Sequence, residues 1–140
     1  MAARPRYYLD TNIVISVVEA TGHLTENQSQ FISAIDSATI EALTSELTLA
    51  ECLVKPFADR NAFAVEAYLL FLDERRNFPV LPINRHILTV AARLRTELGV
   101  KLPDAIHIAT AEAAECSILL TNDRGIRLPK GMKLKLWNEI

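Results

Sequence analysis

Short strand-like runs alternate with longer stretches of helical periodicity along the whole chain, and this alternation restricts the fold more than any single motif does. Residues 6–9, 39–43, 80–83, 117–120 and 133–137 suit strands. Between them, helices are expected from Ile13 to about Ala20, ending near Gly22, and from Asn27 to Ala38, where Phe31, Ile32 and Ile35 recur at helical spacing. A third helix is expected from Ser45, a candidate cap, to about Val54, with Pro56 soon after its end. A longer one should run from Ala62 to about Arg76, with Phe63, Ala67, Leu70 and Phe71 on its inner side. Asn84 is placed to cap a helix that Gly99 stops after Leu98, and Pro103 to open a last one reaching about Glu115. Such a series predicts a parallel sheet with helices on both faces. No repeat, low-complexity segment or boundary divides the 140 residues, so one domain over 1–140 is expected.

Composition excludes several classes. Half of the residues are hydrophobic and 23% are charged, which fits a folded core and not a disordered chain. No apolar run reaches the roughly 18 residues that a membrane helix needs, and MAARPRYYLDTN holds no signal-peptide core, so a cytoplasmic protein is expected. The two cysteines, Cys52 and Cys116, form no CxxC and suit small buried hydrophobes. The formal charge of −2 is unevenly spread: residues 1–54 hold two basic and seven acidic residues, and residues 55–140 hold 13 basic and ten acidic ones. Arg124, Arg127, Lys130, Lys133 and Lys135 lie in a segment free of acids, either a solvated tail or a stripe that attracts phosphates.

In an open α/β sheet, ligands bind outside the carboxyl ends of the strands. Asp10 directly follows the first strand in LDTN, and Asp123 follows the strand in SILLTND. Glu51 lies on the helix after the second strand, and Asp104 in the first turn of the helix opened by Pro103. Each has an ordinary reading. Asp10 can be a helix cap, Asp104 can complement a helix dipole, Asp123 can serve a turn, and Glu51 can be a solvated helix residue. Leu47 and Val54 flank Glu51 on its face, however, an awkward place for an idle charge. His107, one turn beyond Asp104, reads as a core or supporting histidine. Taken together, several carboxylates at one end of a sheet repel each other unless a cation lies between them. Oxygen donors suit Mg2+ or Mn2+, and no Cys/His set competes for zinc. A hydrated divalent ion among acids lowers the pKa of its water and offsets charge on phosphate oxygens, the chemistry of phosphodiester hydrolysis. Asn12 and Thr121 are placed to hydrogen-bond such a centre, and Arg124 and Arg127 to meet a nucleic-acid backbone.

The succession YYLDTNIVI, SELTLAECL, KLPDAIHIATA and SILLTNDRGI, with VLPIN and the final LKLW, resembles the PIN-domain ribonucleases from about Tyr7 to Trp137. Among them it is most similar to the VapC-type toxins of toxin–antitoxin pairs. The resemblance implies a three-layer α/β/α sandwich around a parallel sheet of about four or five strands. It implies a metal-dependent endoribonuclease, with Asp10, Glu51, Asp104 and Asp123 as catalytic and metal-binding acids and Asn12, Thr48 and Thr121 in support. It also implies an RNA substrate, a homodimer and a cognate antitoxin that blocks the acidic site. One departure stands out. Many relatives carry a glycine soon after the motif glutamate, whereas here Glu51 is followed by Cys52-Leu53-Val54-Lys55-Pro56, so that helix is expected to end or bend differently.

Three other readings compete. A haloacid-dehalogenase-type phosphatase needs DxD after its first strand, and here Asn12 holds the third position. A receiver-like module needs a lysine after a late strand, which SILLTND lacks. An inactive PIN-like domain that only binds RNA or a partner would not need the full set of acids.

Overall fold

The computed structural model describes residues 4–20, 23–73 and 77–140. Five parallel strands form one sheet in the order β3-β2-β1-β4-β5. They are β1 (Arg6–Leu9), β2 (Glu41–Ser45), β3 (Val80–Leu81), β4 (Ile118–Thr121) and β5 (Lys133–Leu136). Helices α1 (Thr11–Val18), α2 (Glu26–Asp36), α3 (Glu46–Ala58), α4 (Ala62–Phe71), α5 (Arg85–Leu98) and α6 (Leu102–Ala113) make the crossovers. The sheet of about four or five strands expected from the sequence is thus present with five.

The central strand shows why both faces need cover. In β1 successive side chains point to opposite sides. Tyr7 and Leu9 enter a core with Ile13, Val14, Phe31, Ile35, Tyr68 and Leu72, contributed by α1, α2 and the end of α4. Tyr8 points the other way, among Leu43, Ala111 and Leu119, under α6. Helix α5 then packs outside α6 through Ile87, Ala91, Leu94, Ala105, Ile108 and Ala109. A sheet covered on both faces carries near-continuous apolar strands, as ILLT in β4 does.

Several boundaries differ from the sequence reading. Strand β2 starts two residues later than expected, at Glu41. Helix α1 ends at Val18, and the expected stop at Gly22 lies outside the described residues. Helix α3 does not end before Pro56 but continues to Ala58. The proline lacks one N–H for the ladder, yet its ring is buried, and that burial offsets the lost bond. Helix α4 ends at Phe71; the expected end near Arg76 lies outside the described residues. Its expected inner face is right at Phe71, which packs against the core, and wrong at Phe63 and Leu70. Phe63 is 86% and Leu70 72% exposed, whereas Tyr68 is buried and donates a hydrogen bond to Glu19 of the α1 end. AFAVEAYLLF is apolar almost all round, so periodicity singles out no face. Among the described residues no helix is long and apolar enough to cross a membrane.

Candidate active site

The site forms where the central strands end. The backbone N–H of Asp10 donates to the Leu120 carbonyl at 3.0 Å, so the residue after β1 is tied to β4. Asp10 then takes extended backbone angles (φ −64°, ψ 157°) and caps α1, its Oδ1 accepting from the Thr11 N–H at 2.8 Å. Its Oδ2 accepts from the Thr121 hydroxyl at 2.7 Å and the Asn12 amide at 3.3 Å. The cap and the site acid are therefore one residue, and three donors from LDTN and β4 hold its carboxylate in one orientation. Asn12 also donates to Thr121 Oγ1 at 3.1 Å and accepts from the Asn122 N–H at 3.0 Å.

Asp123 is fixed from the same strand end. Its N–H donates to Thr121 Oγ1 at 3.1 Å, and its Oδ1 accepts from the Gly125 N–H at 2.8 Å. The turn reading of Asp123 is correct, and it leaves the second carboxylate oxygen for other work. Glu51 of α3 is half-buried; its Oε1 accepts from the Thr11 hydroxyl at 2.7 Å and meets His107 Nε2 at 2.6 Å. Burial works against ionising this carboxyl, but the bonds from His107 and Thr11 outweigh it and hold the pKa below the usual value. Asp104, in the first turn of α6, has no hydrogen-bond donor among the described residues. Partial burial, then the charges of Asp10, Asp123 and Glu51, raise its pKa against the opposing pull of His107. That coupling puts Asp104 within electrostatic reach of all three other acids.

The supporting residues separate into two groups. Asn12 and Thr121 touch Asp10 directly. Thr48 touches none of the four acids. It bonds Thr44 at 2.7 Å and Thr11 at 3.3 Å, and so reaches Glu51 only through Thr11. Arg124 is exposed and pairs with Glu139 at 3.5 Å, a weak contact that a phosphate can displace. Arg127 is exposed too, with its guanidinium beside Gly99 at the end of α5. Lys135 of the same basic segment lies 5.8 Å above the Tyr7 ring, so part of the stripe serves packing. Both cysteines are buried, and burial first of all pushes their thiols up to about 12, in keeping with a packing role.

His107 fits its reading as a core or supporting histidine. It is 3% exposed, and its Nε2 lies 2.6 Å from Glu51, 3.2 Å from Thr11 and 3.8 Å from Asp10. A signal was available: residues three apart share a helix face, so an active Asp104 brings His107 along. Thr11, between Asp10 and Asn12, was the residue overlooked.

These donors fit a hard divalent cation in kind: carboxylates and hydroxyls, with excess negative charge at Asp104. Among the described residues, though, no three His, Cys, Asp or Glu side chains already surround one point. Asp10 and Glu51 are held in place, while Asp104 is left free of hydrogen bonds. Every buried side-chain N or O among the described residues has a partner, so the framework around the acids is fully satisfied.

A profile of the PIN domain matches residues 7–130. Solved structures of similar fold include VapBC2 from Rickettsia felis bound to a promoter DNA fragment (19% identity, TM-score 0.72, covering 94% of this chain and 98% of that one). DNA-bound VapBC from Salmonella typhimurium is similar at 19% identity and a TM-score of 0.67, over 95% and 98%. VapBC-5 of Mycobacterium tuberculosis, from the VapBC family of toxin–antitoxin systems, gives 23% and 0.55, over 94% and 98%. No curated protein matches the sequence.

Proposed function

The chain belongs to the PIN domain family, and from that premise we propose that it is a divalent-metal-dependent endoribonuclease, the toxin of a toxin–antitoxin pair. What supports the reading is that Thr11 bonds both Asp10 and Glu51 and Thr121 bonds both Asp10 and Asp123 at the carboxyl end of the sheet, while burial and then the neighbouring acids raise the pKa of Asp104. Among the described residues no Lys or Arg pairs with any of the four. Repulsion of this kind persists in a fold when a cation relieves it, and oxygen donors favour Mg2+ or Mn2+.

In the reaction a water oxygen forms a new bond to phosphorus, the bridging ester P–O bond breaks, and the departing oxygen takes up a proton. A bound divalent ion would polarise the phosphate and offset the charge that builds on its oxygens. Asp10, Glu51, Asp104 and Asp123 would hold the ion. Asp10 is oriented by Thr11, Asn12 and Thr121, and Glu51 by Thr11 and His107, so these two acids reach the transition state without reorganising. Asp104 has no such restraint among the described residues and would be free to join them in holding the ion. Arg124 and Arg127 follow Asp123 and would guide the RNA backbone towards the acids. The VapBC assemblies of similar fold support an antitoxin partner for this chain, and a homodimer acting in the cytoplasm is part of the same proposal.

The alternative, an inactive PIN-like module that binds RNA or a partner, draws on the open arrangement of the acids. One experiment separates the two. Purified protein is incubated with tRNA, a single-stranded RNA and a DNA control, with Mg2+, Mn2+ or EDTA, beside Asp10→Asn. Cleavage of RNA that requires both the metal and Asp10 supports the nuclease. A folded protein that binds metal and RNA but leaves every RNA intact supports the binding module.

A further inference from the structure

Among the described residues, buried His107 bonds Glu51 at 2.6 Å and lies 3.8 Å from Asp10. The Glu51 side chain is 35% exposed, whereas that of His107 is 3% exposed. One carboxylate oxygen, Oε1, takes both the His107 contact and the Thr11 hydroxyl, and Oε2 has no donor among the described residues. The imidazole is held at its other end as well. Its Nδ1 lies 2.6 Å from the Tyr8 phenol oxygen, and the Tyr8 ring meets it edge-on at 5.5 Å. Tyr8 is wholly buried at the centre of β1 and donates to the Ser45 hydroxyl at 2.8 Å.

Ser45 supplies a second, independent sign. It stands at the N-cap of α3, the position where a serine ordinarily bonds a backbone N–H of the first turn, yet it makes no such bond. Forgoing a serine cap costs the helix stability, because a first-turn N–H loses its usual side-chain partner. Local rules broken at this expense concentrate at functional sites. The outcome is a continuous chain, Ser45–Tyr8–His107–Glu51, from the middle of the sheet to the edge of the acidic cluster.

We infer that His107 is a positioning residue that acts through Glu51: it occupies Oε1 and presents Oε2 alone to the divalent cation, with Tyr8 and Ser45 fixing the ring. The inference rests on the metal-dependent reading above. It does not make His107 a ligand, because Nε2 already faces Glu51 and Thr11 and Nδ1 faces Tyr8.

The test reads metal affinity and needs no RNA. Free Mn2+ is counted by electron paramagnetic resonance during titration of wild type, His107→Ala, His107→Gln, Tyr8→Phe, Glu51→Ala and the Glu51→Ala/His107→Ala double variant, with thermal unfolding as a check on folding. Losing a partner that orients a ligand costs roughly 10–100-fold in metal affinity, and His107→Ala is expected in that range. His107→Gln, which keeps a donor near Glu51, should recover most of the loss, and Tyr8→Phe should lose less than His107→Ala. In the Glu51→Ala background, His107→Ala should change nothing further. The same loss in both backgrounds, or none in the wild-type background, overturns the inference, as does an imidazole nitrogen coupling on bound Mn2+. A wild type without Mn2+ affinity overturns the metal reading and this inference with it. Absent RNA cleavage with the expected pattern of affinities would sink the nuclease alone.

Discussion

Asp104 and Thr121 show opposite relations between stability and function. The pKa of Asp104 is raised in the fold, so its ionised form is disfavoured at neutral pH, and that cost vanishes as pH falls through the raised value. Asp104→Asn is therefore expected to raise the Tm of the metal-free protein at pH 7, while abolishing RNA cleavage. An unchanged or lower Tm would show that neither burial nor the neighbouring acids disfavour the ionised form in solution. Glu51 has the reverse sign: its depressed pKa makes the ionised form a stabilising one above the ordinary glutamate value, lost as pH drops through the lowered one. Thr121 is fully buried and donates to Asp10 while accepting from Asn12 and the Asp123 N–H. Thr121→Val keeps the shape and removes all three bonds, and should cost about 1–3 kcal/mol by chemical denaturation. Cleavage should fall at least tenfold, within the range seen when the residues behind metal ligands are changed.

Among the elements, local signals succeeded where one residue type does one job. Asn84 accepts from the Ile87 N–H at 2.9 Å, and Gly99 ends α5 with a left-handed φ of 69°. Both were legible because capping chemistry depends on a few neighbouring atoms. Asn84→Ala should destabilise by about 1 kcal/mol and leave cleavage per folded molecule unchanged, since α5 lies outside α6 and away from the acids. A fall in specific activity would mean that α5 shapes the site. Local signals failed at Ser45, Pro56 and α4, where packing overrode them. Ser45 turned to Tyr8, Pro56 was absorbed into α3, and Phe63 faced solvent because the helix had apolar residues on every side.

For the whole molecule, the homodimer proposed above is expected to cover exposed Phe63 and Leu70 on α4, since apolar residues left in water mark association surfaces. Replacing both by Ser should turn a dimer into a monomer in sedimentation without lowering Tm. A wild type already monomeric at micromolar concentration would remove the expected homodimer. The site itself was only partly legible. Strand and helix alternation, caps and the acids that follow strand ends are written in neighbouring residues, so the sequence by itself determined the parallel α/β class and the positions of Asp10, Glu51, Asp104 and Asp123 along it. The role of His107 was decided only in three dimensions, because Tyr8 lies 99 and Glu51 56 residues away in the chain. Hydrogen bonds form between whatever atoms the folded sheet brings within about 3 Å, and the periodicity of one segment carries no record of partners contributed by another.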